Sequence, residues 1–299
     1  MMKKIGNFLL ALVPAVSMIV LELLMEVVVI LGIMFMELIS ANAKGMPMSL
    51  TDILNSLPQM VMDHYMLLLI MIQISWIVGF GLWYYFGFVR KKERLKLAQV
   101  FSVRSFSAEI CLAVGFYFII TLYLSFAGFA FPNLMEDYNL LMEQTGIADR
   151  TVLSTISTIV FAPICEEVIF RGLTYKFARR AGLNFLLANI LQALLFGIIH
   201  MNWIQGTYAF CLGLLLGFVN ERYHSLYAAV LLHALFNFCG TYLAEALGFL
   251  PDVPGVYAGM AAVGVILVGI SWYLLKKEKS VKMERAAAGR ITDGDNMNF

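Results

Sequence analysis

The sequence predicts an all-α membrane protein of about eight transmembrane helices, with both termini cytoplasmic. Three observations carry that reading. Of the 299 residues, 61% are hydrophobic and 14% charged, against roughly 45–50% and about 25% in a soluble domain. The apolar residues gather in runs of the ~20 residues that a bilayer span needs. Nearly all Lys and Arg fall in alternate gaps between those runs, as the positive-inside rule requires. Such composition, with a mean hydropathy of +0.82, excludes a cytosolic enzyme, a disordered protein and a secreted disulfide scaffold. A net charge of +1 leaves no basic face for nucleic acid.

The candidate spans are residues 6–36, 62–89, 108–131, 151–178, 184–202, 205–220, 225–248 and 255–275. The first follows Met1-Met2-Lys3-Lys4, and Ala41-Asn42-Ala43 imitates a signal-peptidase site. Its apolar run is too long for a signal h-region of about 7–15 residues, so it reads as an uncleaved helix. The longest breaks are 40–61, 90–107 and 132–150. None is long enough for an independent soluble core. The tail from Lys276 onward is polar and reads as disordered.

Lys and Arg set the orientation. Lys3 and Lys4 precede the first span. Arg90, Lys91, Lys92, Arg94, Lys96 and Arg104 follow the second. Lys176, Arg179 and Arg180 follow the fourth, Arg222 the sixth, and the tail holds six more from Lys276 to Arg290. The opposite side has only Lys44 and Arg150. Both termini are therefore placed in the cytoplasm of a multi-pass protein of the cell membrane. The four cysteines, Cys111, Cys165, Cys211 and Cys239, lie in apolar stretches without C-x-x-C spacing and read as packing residues. Cys165 stands beside a glutamate pair and is kept as a minor candidate thiol.

Ionisable groups inside the spans carry the functional information, because each costs about 2.5–3.5 kcal/mol at a helix centre. The fourth span packs Glu166, Glu167 and Arg171 into six residues, roughly 8–10 kcal/mol if unpaired. Glu167 and Arg171 are i and i+4 and share a helix face in the favourable order. Glu166 is about 100° away and cannot share that pairing fully, so a drier setting makes it the better general base. The next span holds Phe196 and His200, and the seventh holds His233 and Asn237, again i and i+4. Helical rise lets Glu166, His200, His233 and Asn237 all lie near mid-membrane if the helices tilt, which is compatible with a single site.

Glu166-Glu167-x-x-x-Arg171, Phe196-x-x-x-His200 and His233-x-x-x-Asn237 resemble the three motifs of the CAAX-protease and bacteriocin-processing (CPBP, or Abi) family. Its eukaryotic branch is the type II CAAX prenyl endopeptidases. The resemblance covers about residues 151–245 and divides the chain into N-terminal helices (1–147), a catalytic membrane core (148–275) and a polar tail (276–299). It implies an intramembrane endopeptidase acting on a membrane-associated peptide or protein. In that pattern Glu166 and His200 activate a water, His233 and Asn237 stabilise the oxyanion, and Glu167 and Arg171 orient the helix. Phe196 is a supporting residue. Metal dependence stays open. Glu166, His200 and His233 could form a three-ligand zinc site, whereas the structurally understood branch implies a metal-free, glutamate-dependent reaction. The reading adopted is metal-free, with no cofactor expected.

Two other classes compete. One is a non-proteolytic membrane scaffold or bacteriocin self-immunity protein that holds a partner. The other is a proton-coupled transporter that uses Glu22, Glu26 and Glu166 as a relay. Against transport stand the absence of inverted symmetry and of paired helix breaks. Taken singly, His200, His233 or Asn237 would read as an interhelical hydrogen bond. Their occurrence together with the glutamate pair argues for chemistry.

Overall fold

The structure, a computed structural model, describes residues 2–46, 49–90, 102–144 and 150–277. Among these residues every element is helical. In chain order they are α1 (Met2–Ala43), α2 (Leu50–Asp63), α3 (Tyr65–Val89), α4 (Val103–Ala130) and α5 (Pro132–Gln144). Next come α6 (Val152–Arg180), α7 (Phe185–Ile198), α8 (Trp203–Tyr223), α9 (Leu226–Ala246) and α10 (Pro254–Lys277). Seven of them, α1, α3, α4, α6, α8, α9 and α10, are long and apolar enough to cross a membrane. The protein is an all-α, multi-pass membrane protein.

The expected eight spans thus become seven long helices and a short one. The fifth expected span is α7, with 14 residues, about 21 Å of helix against a hydrocarbon core of about 30 Å. Its end has a local cause. Ile199 and His200 turn, Met201 takes φ 51°, and Asn202 caps α8 by accepting the Gln205 N–H at 3.0 Å. The apolar run continues past the helix, which is why hydropathy alone overstates it. Stopping short leaves His200 at the end of α7, inside the bundle.

Two expected breaks also hold helices. In 40–61, Ser49 and Asp52 form a reciprocal capping box that opens α2. In 132–150, Pro132 starts α5, where its missing N–H costs nothing. The first span is longer than expected, at 42 residues. The basic run Lys91, Lys92, Arg94 and Lys96 and the tail residues 278–299 lie outside the described residues.

Side-chain contacts fix which helix ends share a side. Asn7 on α1 donates to the Arg180 carbonyl at the end of α6 (3.2 Å), and Arg180 donates to the Gly87 carbonyl at the end of α3 (3.2 Å). Tyr175 donates to Glu221 near the end of α8 (2.8 Å), and Arg222 to the Leu275 carbonyl on α10 (2.7 Å). The start of α1 and the ends of α3, α6, α8 and α10 therefore lie together. At the other end, Arg150 pairs with Glu245 at 2.8 Å and Thr155 meets the Tyr242 hydroxyl at 2.6 Å.

α6 is the hub. It packs against α1, α3, α7 and α9, and its Ile169, Phe170 and Leu173 are fully buried. The outer face of α1 exposes Leu23, Leu24, Val27, Val28 and Leu31, as suits a surface whose solvent is lipid.

Candidate active site

α6 is not a regular helix. Residues Ser157–Phe161 and Val168–Thr174 are wide π-helical turns, a feature that often occurs at functional sites. In the first, the Ala162 N–H reaches back five residues to the Ser157 carbonyl. The next residue is Pro163, which has no N–H. The Thr158 carbonyl is thereby left without the donor that the wide turn would supply. Asn237 on α9 replaces it, its Nδ2 donating to Thr158 O at 2.8 Å. Gln73 on α3 braces the same turn by accepting from the Ser157 hydroxyl at 3.0 Å.

The two wide turns flank the short regular stretch that carries the glutamate pair. Arg171 Nη1 donates to Glu167 Oε1 at 2.7 Å, and both side chains are fully buried. The rest of the guanidinium is held from outside α6. Its Nη2 donates to the Gly213 carbonyl on α8 at 3.1 Å, and its Cζ lies 4.6 Å from the Phe196 ring centroid on α7.

Gly213 O also accepts from Gln192 Nε2 at 2.9 Å. Gln192 donates to Asn189 Oδ1 at 2.7 Å, and Asn189 Nδ2 donates to the Leu214 carbonyl at 3.0 Å. Gly217 leaves room for this network, since a Cβ there would collide with Asn189 Oδ1. A shared buried carbonyl thus connects α7 to the cation of α6 through α8.

His233 on α9 faces both glutamates. Its Nδ1 lies 3.0 Å from Glu167 Oε1, and a carboxylate only accepts, so Nδ1 carries the proton. Its Nε2 lies 3.7 Å from Glu166 Oε2, a separation that one water can bridge. Glu166 differs from its neighbour, for 14% of its side chain remains exposed while Glu167 is sealed. His200 Nδ1 lies 2.7 Å from the Phe196 carbonyl, again an obligate acceptor. In the neutral ring this leaves the His200 Nε2 lone pair free. The Phe196 ring stands edge-on to both imidazoles, with centroids 5.0 Å from His200 and 5.7 Å from His233.

The structure therefore gathers Glu166, Glu167, Arg171, Phe196, His200 and His233. Asn237 is one turn beyond His233 and engaged with Thr158. The Cys165 thiol is turned away, donating to the Gln73 carbonyl at 3.2 Å. Glu22 and Glu26 lie on α1, near Tyr65 at the head of α3. Glu167 Oε1 already accepts from Arg171 and His233, and among the described residues no three His, Cys, Asp or Glu side chains are grouped to hold a metal ion.

Residues 148–239 match the family model for type II CAAX prenyl endopeptidase Rce1-like proteins. This segment is similar to the CAAX-protease family. The match contains every member of the gathered cluster and Asn237. No curated protein and no solved structure matches the chain. Within the matched segment, Asn189 and Gln192 are polar residues that motif reading passes over. Their signal is present, because 189, 192, 196 and 200 fall on one face of a helix and two amides on an apolar face need partners.

Proposed function

We propose that the chain is an intramembrane endopeptidase that hydrolyses a membrane-associated peptide or protein with a glutamate-activated water. One observation carries the reading most strongly. Glu166 keeps an open edge beside His233 and is not tied into the Arg171 pair, whereas Glu167 is sealed. A structural ion pair alone has no need of the second carboxylate.

Glu166 takes the proton of the attacking water, and the free Nε2 of His200 supplies a second acceptor in the same region. Two carboxylates and one guanidinium leave one negative charge in a dry setting. The His233 edge that carries Nε2, turned toward Glu166, faces the developing oxyanion. The second Nδ2 hydrogen of Asn237 is a donor to it. Glu167, Arg171 and Phe196 hold His233 in place. The proton taken by Glu166 passes to the leaving amine as the C–N bond breaks. The reaction needs no metal, and activity persists in a chelator. Processing of a membrane-bound peptide, including one linked to bacteriocin self-immunity, fits such a site.

The test uses the full-length protein reconstituted in vesicles with a prenylated CAAX reporter peptide and an unprenylated control. In parallel, membrane peptides are compared between cells carrying the wild type and Glu166→Gln. Glu166→Gln and His200→Ala are expected to fold and to abolish cleavage. Full turnover by folded Glu166→Gln overturns the proposal and favours a scaffold that only binds its partner.

A further inference from the structure

The structure assigns a second site, away from the glutamates, where the ends of α1, α3 and α6 meet. We propose that Lys4, Lys176 and Arg180 bind the phosphate of an anionic lipid headgroup.

The cluster is built around aromatic rings. Arg180 Cζ lies 3.9 Å from the Phe88 ring centroid, and Lys176 Nζ lies 5.5 Å from the same centroid. Lys176 Nζ also donates to the Tyr84 hydroxyl at 3.0 Å. Lys4 arrives from α1, its ammonium 3.5 Å from where a Cβ would stand on Gly182, two residues past Arg180. The Asn7 bond to Arg180 O fastens that junction.

Lys176 and Arg180 thus share the Phe88 ring, with Lys4 at the neighbouring Gly182. Lys176 and Arg180 are i and i+4 on one helix, a like-charge spacing that disfavours itself. Among the described residues none of the three forms an ion pair. The nearby carboxylate, Glu221, is engaged elsewhere. It accepts from Tyr175 at 2.8 Å and stands 3.9 Å from Arg179. Rings hold the cationic heads in position but do not neutralise them. A phosphate does, and the planar guanidinium of Arg180 suits two of its oxygens.

Position decides the source of that phosphate. Arg180 closes one span, Gly87 and Phe88 lie in the last turn of another, and Lys4 opens a third. All three ends therefore lie at the level of the headgroups, where basic side chains attract anionic lipid. Lys4 is exposed while Lys176 and Arg180 are half-buried. A headgroup can thus reach the site from the bilayer surface.

The experiment uses the full-length protein in nanodiscs of phosphatidylcholine alone or with phosphatidylglycerol, read by thermal unfolding and by native mass spectrometry of retained lipid. Phosphatidylglycerol is expected to raise the Tm and to remain bound. Each charge removed should weaken its retention about fivefold, so Lys176→Gln with Arg180→Gln loses most of the gain. Lys44→Gln, at the opposite end, keeps it. Equal stability in both lipids overturns the proposal, as does full retention by the double variant. Inorganic phosphate that reproduces the Tm gain in phosphatidylcholine overturns the lipid assignment. Should the double variant not fold, exposed Lys4→Gln decides, and undiminished retention by it overturns the proposal.

Discussion

Two ion pairs in this protein have nearly the same length and opposite surroundings. Arg171–Glu167 is 2.7 Å long with both side chains fully buried, and Arg150–Glu245 is 2.8 Å long with side chains 40% and 55% exposed. Distance does not separate them; what surrounds them does. The outer pair is solvated and stands between the start of α6 and the end of α9. The inner pair is held on three sides by Gly213 O, the Phe196 ring and His233. A buried pair gains little over apolar residues of the same size, but losing one partner strands a charge. The inner pair is thus better understood as holding His233 than as a source of stability.

Arg171→Met breaks the comparison most severely. It should cost about 3–5 kcal/mol in denaturant unfolding in detergent, because it strands Glu167. Adding Glu167→Leu should restore much of that stability while cleavage stays lost. Recovery of both would mean that the pair does not position His233. Asn237→Leu comes next, at about 1–3 kcal/mol by the same measurement, because Thr158 O loses its replacement donor. Gly217→Ala is comparable, at about 1–3 kcal/mol, since the new methyl displaces Asn189 from its bonds to Gln192 and α8. Arg150→Gln is the smallest, within about 1 kcal/mol, and its effect should vanish in high salt. An Arg150→Gln loss as large as that of Arg171→Met would erase the contrast.

The inner pair was legible in the sequence, because two carboxylates and a guanidinium at helical spacing in an apolar run have few ways to coexist. Most of the spans were legible from their apolar runs, whereas His200, His233 and Asn237 stood out only through their occurrence together with the glutamate pair. The partners of Arg171 outside its own helix were not. Gly213 contributes only a carbonyl, which every residue has, and its selection depends on how α7 and α8 cross. The imidazole that faces Glu166 was equally hidden, since spacing cannot say whether α7 or α9 turns its histidine inward. The length of α7 was overstated because the composition stays apolar where the backbone turns at Ile199. Helix α2 falls in an expected break although Ser49 and Asp52 announce it, because a capping box leaves no trace in hydropathy.

The wide turn at Val168–Thr174 acts as a phase setter. It lies between the glutamates and the basic end of α6, so the helix beyond it is rotated relative to the helix before it. Deleting one residue there would leave composition, charge and hydropathy almost unchanged. It would also swing Lys176 and Arg180 by about 100°, away from Tyr84 and Phe88, with Glu166 and Glu167 left in place. The two ends of α6 are therefore joined by a residue count as much as by chemistry, and a one-residue gap in this stretch would separate them.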